Sequence, residues 1–419
     1  MARLQIEGGI PLKGEIRVAG NKNAALPIIA ATVLTDEKCL IENVPEISDV
    51  RSMLAILQDL GKKVENLSPN VYRISGFLRH SRPRGDLTGS LRASILFMSG
   101  LLARTGEIDM VPPGGCVIGR RNVESHFEVI RAFGAQLEFH EDGYRATLGN
   151  RTPASIFLKE SSVTATENAM LLAAATPGNS VIENAAGEPH VTDLGDVLSK
   201  MGATIEGRGT NRIFITGKAK LRGFTHRVVS DHIEAGTFAI AAACTRGDLV
   251  IHNADREYLK MTEHYLRRMN VSLEFSDEHT LQVMPSKLIS KTKKIQVGLW
   301  PGFPTDLMSP MVVLATQAEG STLCHDWMYE SRMFFVDKLI IMGADITQCD
   351  PHRVLVAGPT RLRGQELSSP DIRAGIALVI AALTAEGTSL IDRIEIVDRG
   401  YEMIEKRFEL LGARVRRFD

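Results

Sequence analysis

The sequence predicts an α/β protein built from six repeated units in two domains. A helix end, a small residue and the start of a strand recur in this order every 68 to 73 residues along the 419-residue chain. The six copies are centred on Gly61, Gly134, Gly202, Asn270, Gly343 and Gly412. An Ala-rich helix, a glycine and an alternating strand recur at a similar spacing. Because about 70 residues far exceeds the ~20–50 residues of solenoid repeats, we expect each unit to form a small layer of its own.

The elements of each unit are predicted from periodicity and from glycine positions. The helices at residues 25–33 and 374–385 are apolar on nearly all sides, which is typical of buried central helices. A glycine after such a helix supplies a left-handed cap, and the apolar–polar alternation that follows indicates a half-buried strand. Strands of this kind are predicted at residues 180–184, 249–253 and 389–392. Further strands are predicted after the small-residue turns, as at residues 72–76, 212–217 and 353–358.

The two ends of the chain complement each other. The sixth unit reaches Asp419 without its last strand, whereas residues 4–8 have the missing pattern. We therefore expect the N-terminal strand to complete the last unit. Three units in each domain give residues 21–229 as the first domain and residues 1–20 with 230–419 as the second.

Composition excludes several classes of protein. Hydrophobic residues make up 44% and charged residues 24%, as in ordinary globular chains rather than disordered ones. Lys and Arg total 49 against 50 Asp and Glu, so no net positive field favours nucleic acid or an anionic membrane. The longest apolar run, residues 374–385, covers about half of the ~20 residues that a membrane span needs. We expect a cytoplasmic protein with neither nucleic acid nor membrane as partner.

The cysteines and the absent motifs narrow the chemistry. The five cysteines are an odd number and include no C-x-x-C pair, which is typical of a reducing compartment and argues against a zinc site. Cys39, Cys244, Cys324 and Cys349 lie in or beside apolar patterns and are interpreted as small buried hydrophobes. No phosphate-binding glycine loop and no metal-ligand spacing occurs, so we expect no metal and no cofactor.

Residues 111–122 (VPPGGCVIGRRN) interrupt the repeat most strongly. Their density of Pro and Gly predicts a loop able to move, and Arg120 and Arg121 just beyond Cys116 favour a thiolate and an anionic ligand. A reactive cysteine on a lid is one interpretation. An ordinary thiol in a surface loop is the alternative.

Two further interruptions place polar residues at helix starts. Lys22 and Asn23 open an otherwise apolar helix, where free backbone N–H groups and an ammonium attract anions. A solvated lysine is an equal alternative. Asp306 lies in a turn before an apolar helical run, either as a catalytic carboxylate or as a helix N-cap.

Arginines also occur next to apolar segments. They are Arg92, Arg332, Arg373 and Arg399. Because a guanidinium fork matches carboxylate and phosphate oxygens two at a time, several such residues together with Lys22 indicate a small, highly anionic substrate. Each could instead be a structural ion pair, for example with Asp371 or Asp398.

Assembled, these segments resemble the enolpyruvyl transferases. The motifs are residues 21–27 (NKNAALP), 92–95 (RASI), 113–119 (PGGCVIG), 165–168 (ATEN), 233–237 (IEAGT), 302–306 (GFPTD), 371–374 (DIRA) and 398–401 (DRGY). The resemblance extends from Leu4 to Leu411 and is strongest to the branch that uses nucleotide sugars. It implies two inside-out α/β barrel domains, each of three βαβαββ-like units, with the site in the cleft between them, in agreement with the six units counted above.

The resemblance also implies a reaction and the residues that perform it. The enolpyruvyl group of phosphoenolpyruvate would move to the 3-hydroxyl of UDP-N-acetylglucosamine by addition and elimination, releasing phosphate, as the first committed step of peptidoglycan precursor synthesis. Catalytic roles fall to Cys116 as proton donor, Asp306 as base or orienting carboxylate, and Lys22. Phosphoenolpyruvate would bind Lys22, Arg92, Arg121, Arg332, Arg373 and Arg399. The nucleotide sugar would contact Asn23, Arg121, Asn122, Ser162, Val163, Thr164, Asp306, Met328 and Glu330.

The departures from the family pattern cluster at the acceptor residues. Where the family usually has S-V-G-A-T, this chain has Thr164 in place of the glycine, and Asn122 and Glu124 also differ. A different nucleotide or nucleotide sugar is therefore an alternative acceptor. The shikimate-phosphate branch is disfavoured because Cys116 with its Pro-Gly-Gly loop belongs to the nucleotide-sugar branch. A silent, ligand-binding paralogue would not need all these residues together.

Overall fold

The computed structural model describes residues 2–114 and 123–418. These residues form two compact units. The terminal unit comprises residues 2–19 and 230–418, and the central unit comprises residues 20–114 and 123–229. The predicted domain boundaries, 21–229 and 1–20 with 230–419, stay a prediction.

The helices of the described residues are short, at four to thirteen residues. They are α1 (Lys22–Ala31), α2 (Ser48–Asp59), α3 (Gly85–Thr88), α4 (Phe97–Thr105), α5 (Glu124–Ala132), α6 (Val163–Ala174), α7 (Pro189–Met201), α8 (His232–Cys244), α9 (Arg256–Arg268), α10 (Met308–Gln317), α11 (Val336–Ile341), α12 (Ile372–Thr384) and α13 (Ile404–Leu410). Short 3₁₀ helices occupy Thr32–Leu34, Arg92–Leu96, Thr305–Leu307 and Ile394–Arg399.

The strands are mostly three to six residues long. They are β1 (Arg3–Glu7), β2 (Lys13–Arg17), β3 (Cys39–Glu42), β4 (Lys63–Ser68), β5 (Val71–Ser75), β6 (Glu107–Met110), β7 (Gln136–His140), β8 (Gly143–Thr147), β9 (Ser155–Phe157), β10 (Gly178–Glu183), β11 (Thr204–Glu206), β12 (Arg212–Gly217), β13 (Thr225–Arg227), β14 (Asp248–His252), β15 (Ser272–Asp277), β16 (Thr280–Met284), β17 (Lys294–Gln296), β18 (Gly320–His325), β19 (Asp345–Asp350), β20 (Arg353–Gly358), β21 (Glu366–Ser368), β22 (Thr388–Asp392) and β23 (Arg414–Phe418).

Each unit carries three small sheets among the described residues. The terminal unit has the strand orders β21-β22-β1-β23, β15-β16-β14-β2 and β17-β18-β20-β19. The central unit has β11-β12-β10-β9, β13-β3-β5-β4 and the three-stranded β6-β8-β7. In each four-stranded sheet one edge strand runs parallel to its neighbour, whereas the remaining pairs are antiparallel.

The core of each unit lies around helices that are buried on all sides. In the terminal unit α8, α10 and α12 pack against one another, and every residue of α8 is buried. In the central unit α4 contacts both α1 and α6. Because small and branched apolar side chains surround these axes, polar side chains can be solvated only at the helix ends. The prediction that residues 25–33 and 374–385 form buried helical segments is confirmed.

Side-chain caps fix where four of these helices begin. Asn21 Oδ1 accepts from the backbone N–H of Ala24 at the start of α1, and Ser162 Oγ accepts from Ala165 at the start of α6. Asp231 and Asp371 cap α8 and α12 in the same way. Each cap satisfies N–H groups that the helix leaves unpaired, so the next one or two residues hold defined positions.

Two details bear on the strand predictions. β1 lies between β22 and β23 and pairs antiparallel with both, so the last sheet takes a strand from the beginning of the chain.

The interpretation of Cys349 as a buried hydrophobe is wrong, because this thiol is exposed, whereas Cys39, Cys244 and Cys324 are buried. The register between β19 and β20 shifts between Gln348 and Asp350, so Cys349 is the extra residue of a bulge and leaves the inward-facing alternation.

Over residues 2–114 and 123–418, no helix has both the length and the apolar character needed to cross a membrane.

Candidate active site

Asp306 and Arg373 meet at the starts of two central helices of the terminal unit. Asp306 lies in the 3₁₀ helix Thr305–Leu307, directly before α10, and Arg373 is the second residue of α12. Arg373 Nε and Nη2 donate to Asp306 Oδ2 at 2.9 and 2.8 Å. The alternative that Asp306 caps α10 is wrong, since Leu307 holds the N-cap position without a side-chain cap bond. The carboxylate is turned instead toward the arginines.

Arg332 is the second arginine on Asp306 and is almost fully buried. Its side chain is 1% exposed, and Nη2 donates to Asp306 Oδ1 at 3.2 Å. Nε lies 3.8 Å from Asp326 Oδ2, and Nη1 lies 4.0 Å from Asp371 Oδ1. Neither Nε nor Nη1 donates a hydrogen bond within the described residues. Since a buried donor without an acceptor is costly, these two N–H groups are suited to an anionic ligand.

The acidic neighbours of Arg373 stabilise its charged form. Burial would lower the pKa of Arg373, but the negative charge of Asp306, followed by Tyr401 and Asp231, outweighs it and raises the pKa. The Arg373 guanidinium also lies 5.4 Å from the centre of the Tyr401 ring. Arg373 is therefore a permanent cation in an environment that excludes water.

The acidic residues that flank these arginines have separate tasks. Asp371 Oδ1 accepts from the backbone N–H groups of Arg373 and Ala374, so its main task is to cap α12. Asp398 forms a bidentate pair with Arg417, at 3.0 and 2.6 Å, so the arginine that engages this carboxylate is not one of the four candidates. Arg399 is half-buried at the end of the 3₁₀ helix Ile394–Arg399.

A tight turn after β18 carries the two acceptor candidates of the terminal unit. Met328 is half-buried and Glu330 is exposed. The backbone N–H groups of Met328 and Tyr329 donate to Asp326 Oδ1 at 3.0 and 3.2 Å. The amide of Met328 is thus engaged within the protein, which leaves its carbonyl oxygen as the main-chain group for a ligand.

Lys22 begins α1 in the central unit and is paired. Its Nζ lies 2.6 Å from Asp49 Oδ2, and the two side chains are 12% and 8% exposed. The alternative of a solvated lysine is therefore wrong. Asn23, the next residue, is half-buried. Because Asp49 lies in the first turn of α2, it links the starts of two helices through one ammonium group.

Thr164 is tied to His126 by a chain of hydrogen bonds in the central unit. Thr164 Oγ1 lies 3.1 Å from His126 Nε2, and Asn168 Nδ2 lies 2.9 Å from His126 Nδ1. Burial, together with the positive charge of Arg92, lowers the pKa of His126 to about 3, so the ring is neutral. Asn168 Nδ2 also donates to a main-chain carbonyl, which fixes it as a donor, so Nε2 carries the imidazole proton and donates to Thr164.

Ser162 and Val163 form the start of α6 beside Thr164. Ser162 is the N-cap, with Oγ 3.4 Å from the N–H of Ala165. The N–H groups of Val163 and Thr164 have no backbone acceptor among the residues that the structure describes. They point along the positive end of the helix dipole, where anionic oxygens are favoured.

Three predicted site residues, Cys116, Arg121 and Asn122, lie outside the described residues. The terminal unit brings Asp306, Arg332 and Arg373 together, and the central unit brings Thr164 to His126, whose pKa also responds to the charge of Arg92. No three His, Cys, Asp or Glu side chains of residues 2–114 and 123–418 are arranged to hold a metal ion.

Sequence reasoning missed three residues that hold candidate side chains in place within their own unit. They are Asp49, His126 and Asp326. A weak signal existed for Asp326, because a carboxylate that directly follows a buried strand and precedes a turn is suited to cap the N–H groups beyond it. No comparable local pattern marks Asp49 or His126, whose partners are distant in sequence.

Comparison with known proteins identifies the class. The family model described as EPSP synthase (3-phosphoshikimate 1-carboxyvinyltransferase) matches residues 6–408. The enolpyruvyl transferase NikO from Streptomyces tendae has the same fold, with a TM-score of 0.91 over 99% of this chain and 98% of that chain, at 24% identity. The chain therefore belongs to the enolpyruvyl (1-carboxyvinyl) transferase family of enzymes, and the predicted fold class is confirmed.

Two relatives place the similarity within this family. The UDP-N-acetylglucosamine 1-carboxyvinyltransferase of Treponema denticola is 44% identical over 419 residues, which cover 98% of each chain. The enzyme of the same name from Bradyrhizobium diazoefficiens is 44% identical over 428 residues, which cover 100% of this chain and 99% of its own.

Proposed function

We propose that this enzyme transfers the enolpyruvyl group of phosphoenolpyruvate to the 3-hydroxyl of UDP-N-acetylglucosamine and releases phosphate. The observation that carries the proposal is the buried Arg332, which holds Nε and Nη1 without an acceptor beside the Asp306 carboxylate. Such a site offers a carboxylate or phosphate two charged donors next to a group that can accept a proton. The relatives at 44% identity bear the name of this activity.

The donor substrate has a carboxylate and a phosphate that need positive partners. We assign these to Arg332, Arg373 and Arg399 of the terminal unit, and to Lys22, Arg92 and Arg121. Arg332 and Arg373 are fixed by Asp306 and are already desolvated, so little side-chain entropy is lost when the substrate binds. Water excluded from this cluster strengthens every charge–charge interaction in it.

The acceptor residues offer complementary groups to a nucleotide sugar. We assign Ser162, Val163 and Thr164 to the diphosphate or uridine portion, since the start of α6 offers free N–H groups. Further assigned contacts are Asn23, Arg121, Asn122, Asp306, Met328 and Glu330. Glu330 is exposed and Met328 presents a carbonyl, so both can meet hydroxyl or amide donors of a sugar.

The chemistry follows as addition and elimination. In the addition, the acceptor oxygen bonds to C2 of phosphoenolpyruvate while Cys116 gives its thiol proton to C3 and Asp306 takes the proton of the attacking hydroxyl. In the elimination, the Cys116 thiolate takes a proton back from C3, the double bond returns and the bond from C2 to the phosphate oxygen breaks, so that the leaving phosphate keeps the electron pair and takes the proton held by Asp306. Guanidinium groups stabilise the charge that develops on the phosphate.

The proposal includes a cellular role. The product would be the first committed precursor of peptidoglycan, and the enzyme would act in the cytoplasm. Neither a metal nor a cofactor is needed for the steps above.

Phosphate release from phosphoenolpyruvate, measured with one acceptor at a time, tests the proposal. We expect turnover with UDP-N-acetylglucosamine and none with shikimate 3-phosphate. Asp306→Asn should reduce kcat by about 10²–10⁴, the usual contribution of a positioned acid or base. Asp277→Asn, an exposed aspartate in the β15–β16 hairpin of the same unit, is the matched control and should leave turnover unchanged. Turnover with another nucleotide but none with UDP-N-acetylglucosamine would contradict the proposed acceptor.

Cys116 can be tested separately, because the chain offers a matched thiol. Cys116→Ser should abolish labelling by a phosphonate epoxide and strongly reduce turnover. Cys349→Ser removes an exposed thiol and should change neither. Full turnover of the Cys116→Ser enzyme would remove the proton-donor role.

A further inference from the structure

We propose that Asp326 is a positioning residue that holds Asp306, Arg332 and the turn at Met328 in one arrangement. The inference rests on the proposed function and adds to it a residue that does not itself touch either substrate. It is drawn from the contacts of one fully buried carboxylate in the terminal unit.

Two hydrogen bonds with His352 fix the main chain of Asp326. Asp326 directly follows β18, its N–H donates to His352 O at 2.9 Å, and His352 Nδ1 donates to Asp326 O at 2.7 Å. His352 lies in the turn between β19 and β20. The side chain therefore starts from a rigid sheet end and is 0% exposed.

The first carboxylate oxygen of Asp326 holds the turn after β18 that carries Met328 and Glu330. Oδ1 accepts from the backbone N–H groups of Met328 and Tyr329, two and three residues further on. This geometry replaces main-chain acceptors that a turn lacks and holds the turn closed. The Met328 carbonyl and the Glu330 side chain, both assigned to the acceptor, project from this turn.

The second oxygen reaches the segment that carries the proposed base. Oδ2 accepts a hydrogen bond from the hydroxyl of Thr305, the neighbour of Asp306 in the 3₁₀ helix. One carboxylate thus spans two segments about twenty residues apart. A shift of the turn that carries Met328 would therefore also displace Thr305, the residue next to Asp306.

The charge of Asp326 acts on Arg332 without using its donors. The distance from Arg332 Nε to Oδ2 is 3.8 Å, too long for a hydrogen bond but short enough for strong attraction in a buried site. Burial raises the pKa of Asp326, whereas Thr305, Arg332 and the two N–H groups act in the opposite direction. The arginine is held by charge while its Nε and Nη1 protons remain available to phosphoenolpyruvate.

Three variants separate these contacts by kinetic parameter. Asp326→Asn keeps an acceptor for the turn but loses the charge, so we expect KM for phosphoenolpyruvate to rise about tenfold and KM for UDP-N-acetylglucosamine to change less than about twofold. Asp326→Ala also loses the oxygen that accepts hydrogen bonds from the turn, so KM for UDP-N-acetylglucosamine should also rise about tenfold. Thr305→Val keeps the charge and the turn, and should lower kcat with both KM values nearly unchanged.

A double-mutant cycle identifies the route of the effect. If Asp326 acts through Arg332, Asp326→Asn should no longer raise KM for phosphoenolpyruvate in an Arg332→Gln background. Asp277→Asn is the control, because Asp277 accepts from the N–H of His279 two residues on, as Asp326 does from Met328, yet faces solvent. The thermal midpoint of each variant is measured in parallel, and Thr305→Val carries the test if Asp326 variants fail to fold.

The outcomes distinguish this inference from the proposed function. If the wild-type enzyme is active, two results would overturn the positioning role alone. One is an equal rise of both KM values in Asp326→Asn. The other is wild-type kinetics in both Thr305→Val and Asp326→Asn. Absence of wild-type phosphate release with UDP-N-acetylglucosamine would overturn the proposed function and this inference with it. The predicted separation of KM values supports both.

Discussion

Replacement of Thr164 by Val tests the hydrogen bond that joins α5 to the start of α6. Val has the shape of Thr and a similar helix propensity, so the change removes the hydroxyl and little else. The lost bond between Thr164 and His126 is 3.1 Å long, and its removal leaves the Nε2 proton of a buried imidazole without an acceptor.

The expected change in the free energy of unfolding follows from this hydrogen bond. A neutral hydrogen bond contributes about 1 kcal/mol, and an unsatisfied buried donor costs about 1–3 kcal/mol, so we expect Thr164→Val to lower the free energy of unfolding by about 1–3 kcal/mol. Thr164→Ser keeps the acceptor oxygen and should stay within about 0.5 kcal/mol of wild type. Thr164→Gly, the residue more usual in the family, loses the bond and about 0.3 kcal/mol of helix propensity as well.

Urea unfolding followed by far-ultraviolet circular dichroism measures these differences. The two tryptophans, Trp300 and Trp327, both lie in the terminal unit, so their fluorescence follows the other half of the chain in the same samples. KM for UDP-N-acetylglucosamine should rise with Thr164→Val and return with Thr164→Ser. Wild-type stability of Thr164→Val, or equal destabilisation by the Ser variant, would refute the reasoning.

Three further predictions concern buried charges. His126, whose pKa falls from 6.5 to about 3 on burial, binds its proton more readily in the unfolded chain, so stability should fall as pH decreases between these values, and His126→Gln should remove that slope. Burial, reinforced by Glu188, raises the pKa of Glu167 well above 4.5, so stability should fall as pH rises above 4.5, and thermal midpoints of Glu167→Gln between about pH 5 and 9 should lack this decline. Arg407→Met leaves the carboxylate of Glu234 buried without its partner and should cost about 3–5 kcal/mol in urea unfolding, part of which Glu234→Gln should restore.

The fold was predictable because its signals are local. The repeated small residue after each helix is a backbone requirement, as at Gly202, where φ is 117° and a side chain would be strained. The Asn, Ser and Asp caps and the all-round apolar helices are likewise visible within a few residues. Cys349 shows the limit of this reasoning, because alternation cannot reveal the bulge that turns its side chain to solvent.

The candidate site was predictable in residue type but not in pairing. Lysine and arginines beside apolar segments indicated an anion site, yet Lys22–Asp49 and Arg373–Asp306 join residues whose proximity depends on how helices pack. His126 was hidden for the same reason, since its partner Thr164 lies 38 residues away. Long-range hydrogen bonds leave no periodic trace in a single sequence.

The buried helices explain where chemistry can be placed on this fold. A helix that is buried on every side can present polar side chains to solvent or ligand only at its ends, and its first turn also has unpaired N–H groups and a positive dipole. Lys22, Val163 and Arg373 are each the first or second residue of such a helix, and Asp306 lies in the turn before another. In the terminal unit the starts of α10 and α12 converge on Asp306 and Arg373, so packing of the core itself assembles the charges. A substitution deep in this helical core, such as Ala377→Val in α12, should therefore disturb the anion site through helix position as well as stability.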